Sequence, residues 1–272
     1  MNKLFIIIPL LFFINVNELK VISYNIRYNN PNDGVNIWDN RKSTIAEFIY
    51  EENPDFAGLQ EVTHPQLMFL SQNLSEHRFI GVGRADGKTK GEYSPIFFNR
   101  KKYKLLLNKT FWLSHDPETV SVGWDAAMER ICTYGLFENI FSKQKIWVFN
   151  THFDHVGIEA RRESTTLILK KIKELNTKNH PIILTGDFNL DDQNSSIKKL
   201  QSQLNDVLLN INVLDNKYGT YNGFKRDRTE KKRIDYIFVK NLIIKEAQHK
   251  HLKTKNQEWA SDHHPVLSIL KI

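Results

Sequence analysis

The chain has 272 residues, of which 40% are apolar and 25% are charged, and its formal net charge is +7. This composition is close to the globular average, which argues against a disordered chain and against a multispan membrane protein. The mildly basic charge is compatible with a phosphate-bearing substrate and equally with plain solubility. The single cysteine, Cys132, excludes an intrachain disulfide and a cage of cysteine thiolates around a metal.

The first segment of the chain has the features of an export signal. Met1-Asn-Lys3 gives a basic start, and residues 4–14 form an apolar run that is too short to span a bilayer. Residues 15–17 lack the small side chains expected before a cleavage site. We expect a signal peptide over residues 1–17 and an exported protein, periplasmic or secreted, with no stable membrane insertion after processing. A non-cleaved membrane anchor and a simple first strand are the alternatives.

Apolar patterning predicts many strands and few helices. The predicted strands cover residues 20–27, 55–60, 78–82, 94–99, 105–114, 131–140, 145–151, 182–186, 234–239, 242–248 and 266–270. The predicted helices run from an N-cap at Asp39 or Asn40 to just before Pro54, and over residues 65–74, 158–175 and 195–204. This pattern indicates an α/β (α+β) sandwich with sheets inside and helices outside. Since no linker or repeat divides the chain, we expect residues 18–272 to form one domain.

Several predicted strands end in side chains that can bind a metal or transfer a proton. The stretch Ile182-Ile-Leu-Thr-Gly-Asp187-Phe-Asn189 breaks at its glycine and then presents Asp187 and Asn189. Ordinary turn chemistry also favours Gly-Asp and Asn at the end of a strand. The same kind of ending recurs elsewhere, and two late segments add further acids and imidazoles: Asn25, Glu61, His152, Asp235, Asp262 and His263. Their recurrence favours an active site.

These residue types suit a hard divalent cation. Magnesium and manganese prefer oxygen ligands and keep several waters, so they need only one or two carboxylates and an amide oxygen from the protein. Asn25, Glu61 and Asp262 supply that set, and we predict Mg²⁺ or Mn²⁺ as the cofactor. A metal held there can polarise a phosphoryl oxygen. Asp187 could orient or deprotonate the attacking water, and Asn189 could hold the phosphate or the nucleophile in line.

Two histidines have catalytic and structural interpretations. His263 beside Asp235 would be a carboxylate-oriented imidazolium with a raised pKa, suited to neutralise the transition state or to protonate a leaving group. His152 could do the same from the opposite side. The alternative for each is a core histidine whose ring donates to a backbone carbonyl. The sequence has no HExxH, GxSxG or P-loop motif, which argues against zinc-protease, serine-hydrolase and P-loop chemistry.

Taken in chain order, these segments resemble the endonuclease/exonuclease/phosphatase family. The segments are Asn25 after a strand, Gln60-Glu61, Asn150-Thr-His152, Gly186-Asp187-Phe-Asn189, Arg233-Ile-Asp235-Tyr-Ile and Ser261-Asp262-His263. The resemblance implies a four-layer α/β sandwich, in which two mixed β-sheets pack face to face with helices outside, and magnesium-dependent cleavage of a phosphoester by water.

The resemblance also implies a role for each matching residue. It assigns Asn25 and Glu61 to the metal, Asp262 to the metal side, Asp187 and Asn189 to water and phosphate, Asp235 to orienting His263, and His152 to the phosphate. Abasic-site enzymes of the family carry an acid where this chain has Arg27, which weakens a DNA-repair interpretation. Other segments resemble a bacterial, often exported, branch whose sequences are nearest the deadenylase-like exonucleases.

Further cations are candidate substrate contacts. Arg130 could clamp phosphate oxygens, or it could form a surface ion pair. His155 could contact the substrate from the same loop as His152, whereas the neighbouring Asp154 is as compatible with turn or helix-cap duty. The basic run over residues 225–233 could steer a polyanion towards the site, or it could be a solvated hairpin tip.

The sequence therefore predicts an exported Mg-dependent phosphoric ester hydrolase. Our first expectation is a nuclease or phosphodiesterase that acts as a 3'-5' exonuclease or resembles an endonuclease. Its substrate would be a phosphate-bearing molecule such as nucleic acid. We expect the protein to be a monomer. The alternative enzyme is a phosphatase of small phosphorylated sugars, nucleotides or inositols. A catalytically inactive binding protein on the same fold is the alternative from another class.

Overall fold

The structure, a computed structural model, describes residues 18–209, 219–225 and 232–272. The predicted signal peptide and residues 226–231 of the basic run lie outside this part of the chain. The strands are β1 Glu18–Asn25, β2 Phe56–Gln60, β3 His77–Ile80, β4 Ile96–Asn99, β5 Tyr103–Trp112, β6 Ile131–Asn139, β7 Lys145–His152, β8 Ile182–Asp187, β9 Asn205–Asp206, β10 Asp235–Lys240, β11 Ile243–His249 and β12 Val266–Lys271. The α-helices are α1 Trp38–Glu52, α2 His64–Asn73, α3 Ile158–Leu175 and α4 Ser195–Gln201.

The strands pair into two six-stranded sheets. The first sheet has the order β11-β12-β1-β2-β4-β3, and the second has the order β5-β6-β7-β8-β10-β9. Each sheet is mixed, because β1 runs parallel to β2 and β7 runs parallel to β8, whereas the other pairs are antiparallel. Parallel neighbours end at the same edge of a sheet, so each sheet brings two strand ends together.

Alternate residues of the central strands face different layers. Val21 and Ile183 belong to an apolar cluster that both sheets share. Their neighbours Ile22 and Leu184 point the other way, into clusters that contain residues of α1 and α2 or of α3 and α4. This alternation, with a period of two residues, separates sheet-to-sheet contacts from sheet-to-helix contacts. It confirms the predicted α/β sandwich of two mixed sheets with helices on the outside.

Most element boundaries lie within one to three residues of the prediction, and the structure adds one helix start and one strand that were not predicted. The predicted N-cap at Asp39 or Asn40 is wrong, because α1 begins at Trp38 and Ile37 is its N-cap, with no side-chain cap. A 3₁₀ turn over Gly34–Asn36 ends directly before Ile37, so the chain enters α1 from a turn and without a capping side chain. The short strand β9 was not predicted. None of the described helices combines the length and the apolar character that a membrane span requires.

Buried polar side chains join the two sheets beneath the strand ends. Gln60 Nε2 donates to Asn150 Oδ1 at 2.7 Å, and Asn150 Nδ2 donates to the carbonyl oxygens of Leu59 at 2.7 Å and Pro95 at 2.9 Å. Gly58 lies against this link, and a Cβ added there would stand 2.0 Å from Thr185 Oγ1. Gln60 and Asn150 therefore fix the distance between the sheets.

Candidate active site

The strand pairing brings the predicted site residues to one edge of the sandwich. In the first sheet Asn25 is level with Gln60, so Glu61 follows directly beside it. In the second sheet Asp187 is level with both His152 and Asp235. Asp262 and His263 come just before β12, which pairs with β1. A cavity of about 570 Å³ opens at this edge.

Asn25 links the two sheets at the base of this cavity. Its Nδ2 donates to Glu61 Oε1 at 3.0 Å and to Asp187 Oδ2 at 2.9 Å, while its Oδ1 accepts from the Arg27 amide at 3.0 Å. In this orientation Asn25 is a hydrogen-bond donor that holds the two carboxylates in place. Its assignment as a metal ligand stays a prediction.

Glu61 and Asp262 form the oxygen-rich side of the cavity. Glu61 has φ +59°, a left-handed backbone that is uncommon outside glycine, and its Oε2 accepts from the Tyr28 amide at 3.1 Å. Arg27 Nη1 lies 3.9 Å from Glu61 Oε2 and 3.8 Å from Asp262 Oδ2, so both carboxylates face one cation. Two carboxylates that converge in this way, without sulfur or imidazole between them, fit a hard divalent ion.

Asp235, His263 and Asp187 form a buried cluster. His263 Nδ1 lies 2.8 Å from Asp235 Oδ2, and His263 Nε2 lies 3.7 Å from Asp187 Oδ2. Burial lowers the pKa of His263, but the two carboxylates outweigh it and hold that pKa well above its ordinary value. The three groups could also hold a metal, since their ligand atoms lie within 4.8 Å of one another. The short Asp235 hydrogen bond favours an oriented imidazolium.

The pKa of the Asp187 carboxyl lies close to neutral pH. Burial, followed by the charge of Asp235, raises its pKa from 3.8 to about 7, against the opposing effects of His263 and of the hydrogen bonds from Asn25 and the Asn189 amide. A carboxyl whose pKa is near the working pH can take a proton and give it back. Asp187 therefore has the properties of a general base.

His152 and Asn189 lie beside Asp187. Asn189 Nδ2 donates to the Phe153 carbonyl at 3.0 Å and approaches His152 Nε2 at 3.2 Å, and the Asn189 backbone is left-handed, with φ +50°. Burial, followed by the charges of Arg130 and Arg84, holds the pKa of His152 well below its ordinary value. The lowered pKa keeps His152 neutral at physiological pH. Its Nε2 faces both Asn189 Nδ2 at 3.2 Å and Asp187 Oδ2 at 3.5 Å, so a ring that accepts from Asn189 carries its proton on Nδ1.

Arg130 and His155 also meet at the cavity. Arg130 Nε lies 3.3 Å from Asp154 Oδ2, and Arg130 Nη2 donates to His155 Nδ1 at 3.0 Å. The side chain of Arg130 is only 5% exposed, so its ion pair with Asp154 is buried and does not lie on the surface. Asp154 also performs the turn role considered from the sequence, since its Oδ1 accepts from the amides of Val156 and Gly157. The assignment of Arg130 and His155 to substrate binding stays a prediction.

Some residues that line the same cavity were not among the predicted site residues. Arg84 and Glu92 come from the loop between β3 and β4 and form an ion pair at 2.8 Å between Nη2 and Oε1. Tyr221 packs its ring 5.0 Å from the ring of His263. Loop residues without a motif give no periodic signal, and only the glycines at 81, 83, 87 and 91 marked this segment as a loop.

The profile of the Endonuclease/Exonuclease/phosphatase family matches residues 22–263. The chain belongs to this family. Its fold closely matches an endonuclease/exonuclease/phosphatase from Bacteroides vulgatus, with 37% identity, a TM-score of 0.88, and coverage of 94% of this chain and 99% of the other. A mannosyl-6-phosphatase from Bacteroides thetaiotaomicron is 36% identical, with a TM-score of 0.88, over 93% of this chain and 100% of that one.

A more distant structure has the same fold. TDP2 of D. rerio, solved with a single-strand DNA product, is 18% identical, with a TM-score of 0.74, over 94% of this chain and 99% of that one. At this identity the likeness concerns the fold alone. Family membership confirms the resemblance seen in the sequence, and the members of this family are hydrolases that act on phosphoesters.

Proposed function

We propose that this protein is a divalent-metal-dependent hydrolase of small phosphomonoesters. The observation that carries the proposal is the cavity of about 570 Å³, which is lined by the carboxylates of Glu61, Asp187 and Asp262 and by the imidazole of His263. That volume lies within the usual range for small-molecule sites, about 300–1,000 Å³. The similarity to a mannosyl-6-phosphatase over nearly the whole chain supports a phosphatase.

Each residue has a part in the proposed hydrolysis. Glu61 and Asp262 would hold the ion, which when bound supplies positive charge to the phosphoryl oxygens and to the developing charge of the transition state. Asp187, held by Asn25 and the Asn189 amide, accepts the proton of the attacking water. His263, kept protonated by Asp235, faces the phosphate as a positive donor and can give its proton to the leaving oxygen.

A nuclease or phosphodiesterase, the first expectation from the sequence, is the second candidate. Three arginines line the cavity, Arg27, Arg84 and Arg130, and could hold a second phosphate of a polymer. Against this, Arg27 is paired with Asp33, Arg84 with Glu92, and Arg130 with Asp154. These pairs leave little net positive charge for a polyanion.

A substrate panel separates the two candidates. Sugar phosphates, nucleoside monophosphates, inositol phosphates, single-stranded RNA and single-stranded DNA are incubated with Mg²⁺, with Mn²⁺ and with a chelator. The phosphatase proposal predicts metal-dependent release of inorganic phosphate from small monoesters without shortening of the polymers. Shortening of RNA or DNA in preference to phosphate release would replace it with the nuclease.

A further inference from the structure

The loop between β3 and β4 presents a rigid polar wall to the active-site cavity. The Arg84 amide donates to the Glu92 carbonyl at 3.1 Å, and Trp112 Nε1 donates to the Arg84 carbonyl at 2.8 Å, which anchors the loop to β5. A Cβ added to Gly83 would stand 2.2 Å from the Lys90 carbonyl, so the two arms of the loop lie in close contact. The side chain of Glu92 is therefore held in a fixed position.

Glu92 and His152 face each other across a gap. Glu92 Oε1 pairs with Arg84 Nη2 at 2.8 Å, which leaves Oε2 4.0 Å from His152 Nδ1. That distance is too long for a hydrogen bond. His152 Nδ1 is buried and has no hydrogen-bond partner among the residues that the structure describes, and the side chain of His152 is only 9% exposed.

Arg130, which lines the same cavity, extends this wall and carries a second unsatisfied donor. Arg130 Nη1 is buried without a hydrogen-bond partner within the described part of the chain, although the other guanidinium nitrogens contact Asp154 and His155. A buried polar group left unpaired costs about 1–3 kcal/mol. Two such donors, beside a carboxylate oxygen that faces the same cavity, indicate that a polar ligand completes their hydrogen bonds.

We propose that this wall binds a hydroxyl-bearing organic group of the substrate, so that the enzyme prefers phosphomonoesters of polyols, sugars among them. One hydroxyl donates to Glu92 Oε2 and accepts from His152 Nδ1, in the tautomer in which Nε2 accepts from Asn189 Nδ2 and Nδ1 carries the proton. Arg130 Nη1 donates to a second oxygen. The proposal rests on the proposed phosphomonoesterase activity, and it assigns the choice among monoesters to Glu92.

A hydroxyl fits this gap better than a second phosphate does. A hydroxyl both donates and accepts, so it can bridge Glu92 Oε2 and His152 Nδ1, whereas an ionised phosphate oxygen only accepts. The charges of the wall are already paired, Arg84 with Glu92 and Arg130 with Asp154. The wall therefore offers hydrogen bonds rather than net charge.

The test is Glu92→Gln with two kinds of substrate. The variant keeps the shape of the side chain and an oxygen for Arg84, but it places an NH₂ donor towards His152. We expect the kcat/KM for hexose 6-phosphates, divided by that for p-nitrophenyl phosphate, to fall by about 10–100-fold, since the lost hydrogen bond involves a charged group. Glu118→Gln, a charge-matched control on an exposed residue, should leave this ratio unchanged.

A set of deoxy analogues links the effect to one hydroxyl. In the wild-type protein, removal of the hydroxyl that Glu92 binds should lower kcat/KM by about 10-fold or more, and in Glu92→Gln the same removal should have little effect, since the two changes delete one interaction. Glu92→Asp, which keeps the charge but shortens the side chain, should give an intermediate ratio and serves if Glu92→Gln does not fold.

The outcomes separate this proposal from the proposed function. If phosphate is released from monoesters but the substrate ratio is the same in Glu92→Gln and the wild type, the hydroxyl site is refuted and the phosphatase survives. If the wild type releases no phosphate from any monoester in the presence of metal, the proposed function itself fails. If Glu92→Gln and Glu92→Asp lose activity equally on all monoesters, Glu92 only positions His152, and the hydroxyl site is refuted.

Discussion

We expect Asp187→Asn to lower the activity and, at alkaline pH, to raise the stability of the metal-free protein. Asp187 is buried, lies beside Asp235, and is held by hydrogen bonds from Asn25 Nδ2 and the Asn189 amide at 2.9 Å each. The substitution removes the proposed general base, so kcat should fall by about 10²–10⁴-fold. It also removes a carboxylate that the metal-free fold disfavours, and the protein without metal should therefore become more stable above neutral pH.

The size of the stability change follows from the pKa. Burial raises the pKa of Asp187 from 3.8 to about 7, so the folded state binds its proton more tightly than the unfolded chain does. Between these values the unfolded state releases the proton first, and stability falls by about 1.4 kcal/mol per pH unit, or about 4 kcal/mol in all. The Asn variant escapes this loss but turns one acceptor into a donor, at a cost of about 1–3 kcal/mol. The net gain above pH 8 is then about 1–3 kcal/mol.

Urea denaturation in the presence of a chelator measures this balance. Wild type and Asp187→Asn are compared between pH 5 and pH 8.5, with kcat measured separately at saturating Mg²⁺. We expect the two free energies of unfolding to be close at pH 5 and the variant to be the more stable at pH 8.5. A variant that is less stable than the wild type across the whole range would refute the view that a desolvated carboxylate is held in the site.

Three further substitutions test other parts of the site. Asp235→Asn should lower kcat by about 10²–10⁴-fold. Because Asp235 is the main group that raises the pKa of His263, the alkaline limb of the pH–rate profile should also move to lower pH. An alkaline limb that does not move would exclude His263 as the general acid. Gly58→Ala places a Cβ 2.0 Å from Thr185 Oγ1, and urea denaturation should show a loss of about 1–3 kcal/mol or more; an unchanged midpoint would contradict the close sheet contact. Arg27→Gln removes the cation that lies within 4 Å of Glu61 and Asp262, the two proposed metal ligands. Calorimetry should then show Mn²⁺ binding up to about 10-fold more tightly, and weaker binding would mean that the arginine positions those carboxylates.

The fold could be predicted largely from local patterns. The helix predicted over 158–175 and the strand predicted over 182–186 match α3 and β8 closely, because both have strong periodicity and clear ends. The start of α1 was missed because the helix has no capping side chain and follows a 3₁₀ turn. The two-residue strand β9 has no period of its own and exists through its pairing with β10.

The site could be predicted only where side chains follow strands. Asp187 and His152 are the last residues of two neighbouring parallel strands, β8 and β7. Apolar patterns in the sequence predict both strands, and parallel strands end at the same edge of a sheet. Arg84 and Glu92 reach the cavity from a loop whose path depends on contacts with β5, which no local pattern encodes. The orientation of the Asn25 amide likewise depends on tertiary contacts with the Arg27 amide and with two carboxylates.

The central claim is that a metal ion held at the meeting of the two sheets assists hydrolysis of a phosphomonoester. It is tested most directly by measuring the phosphate that the wild type, Glu61→Gln and Glu47→Gln release. Each protein is first treated with a chelator and then titrated with Mg²⁺. Glu47 is an exposed acid of α1 and serves as the charge-matched control. We predict that Mg²⁺ restores hydrolysis of a small phosphomonoester in the wild type and the control, and that Glu61→Gln loses at least about 10²-fold in kcat/KM and binds the ion more weakly. Equal activity of Glu61→Gln and the wild type, or full activity in the chelator, would contradict a metal-assisted site at the meeting of the two sheets.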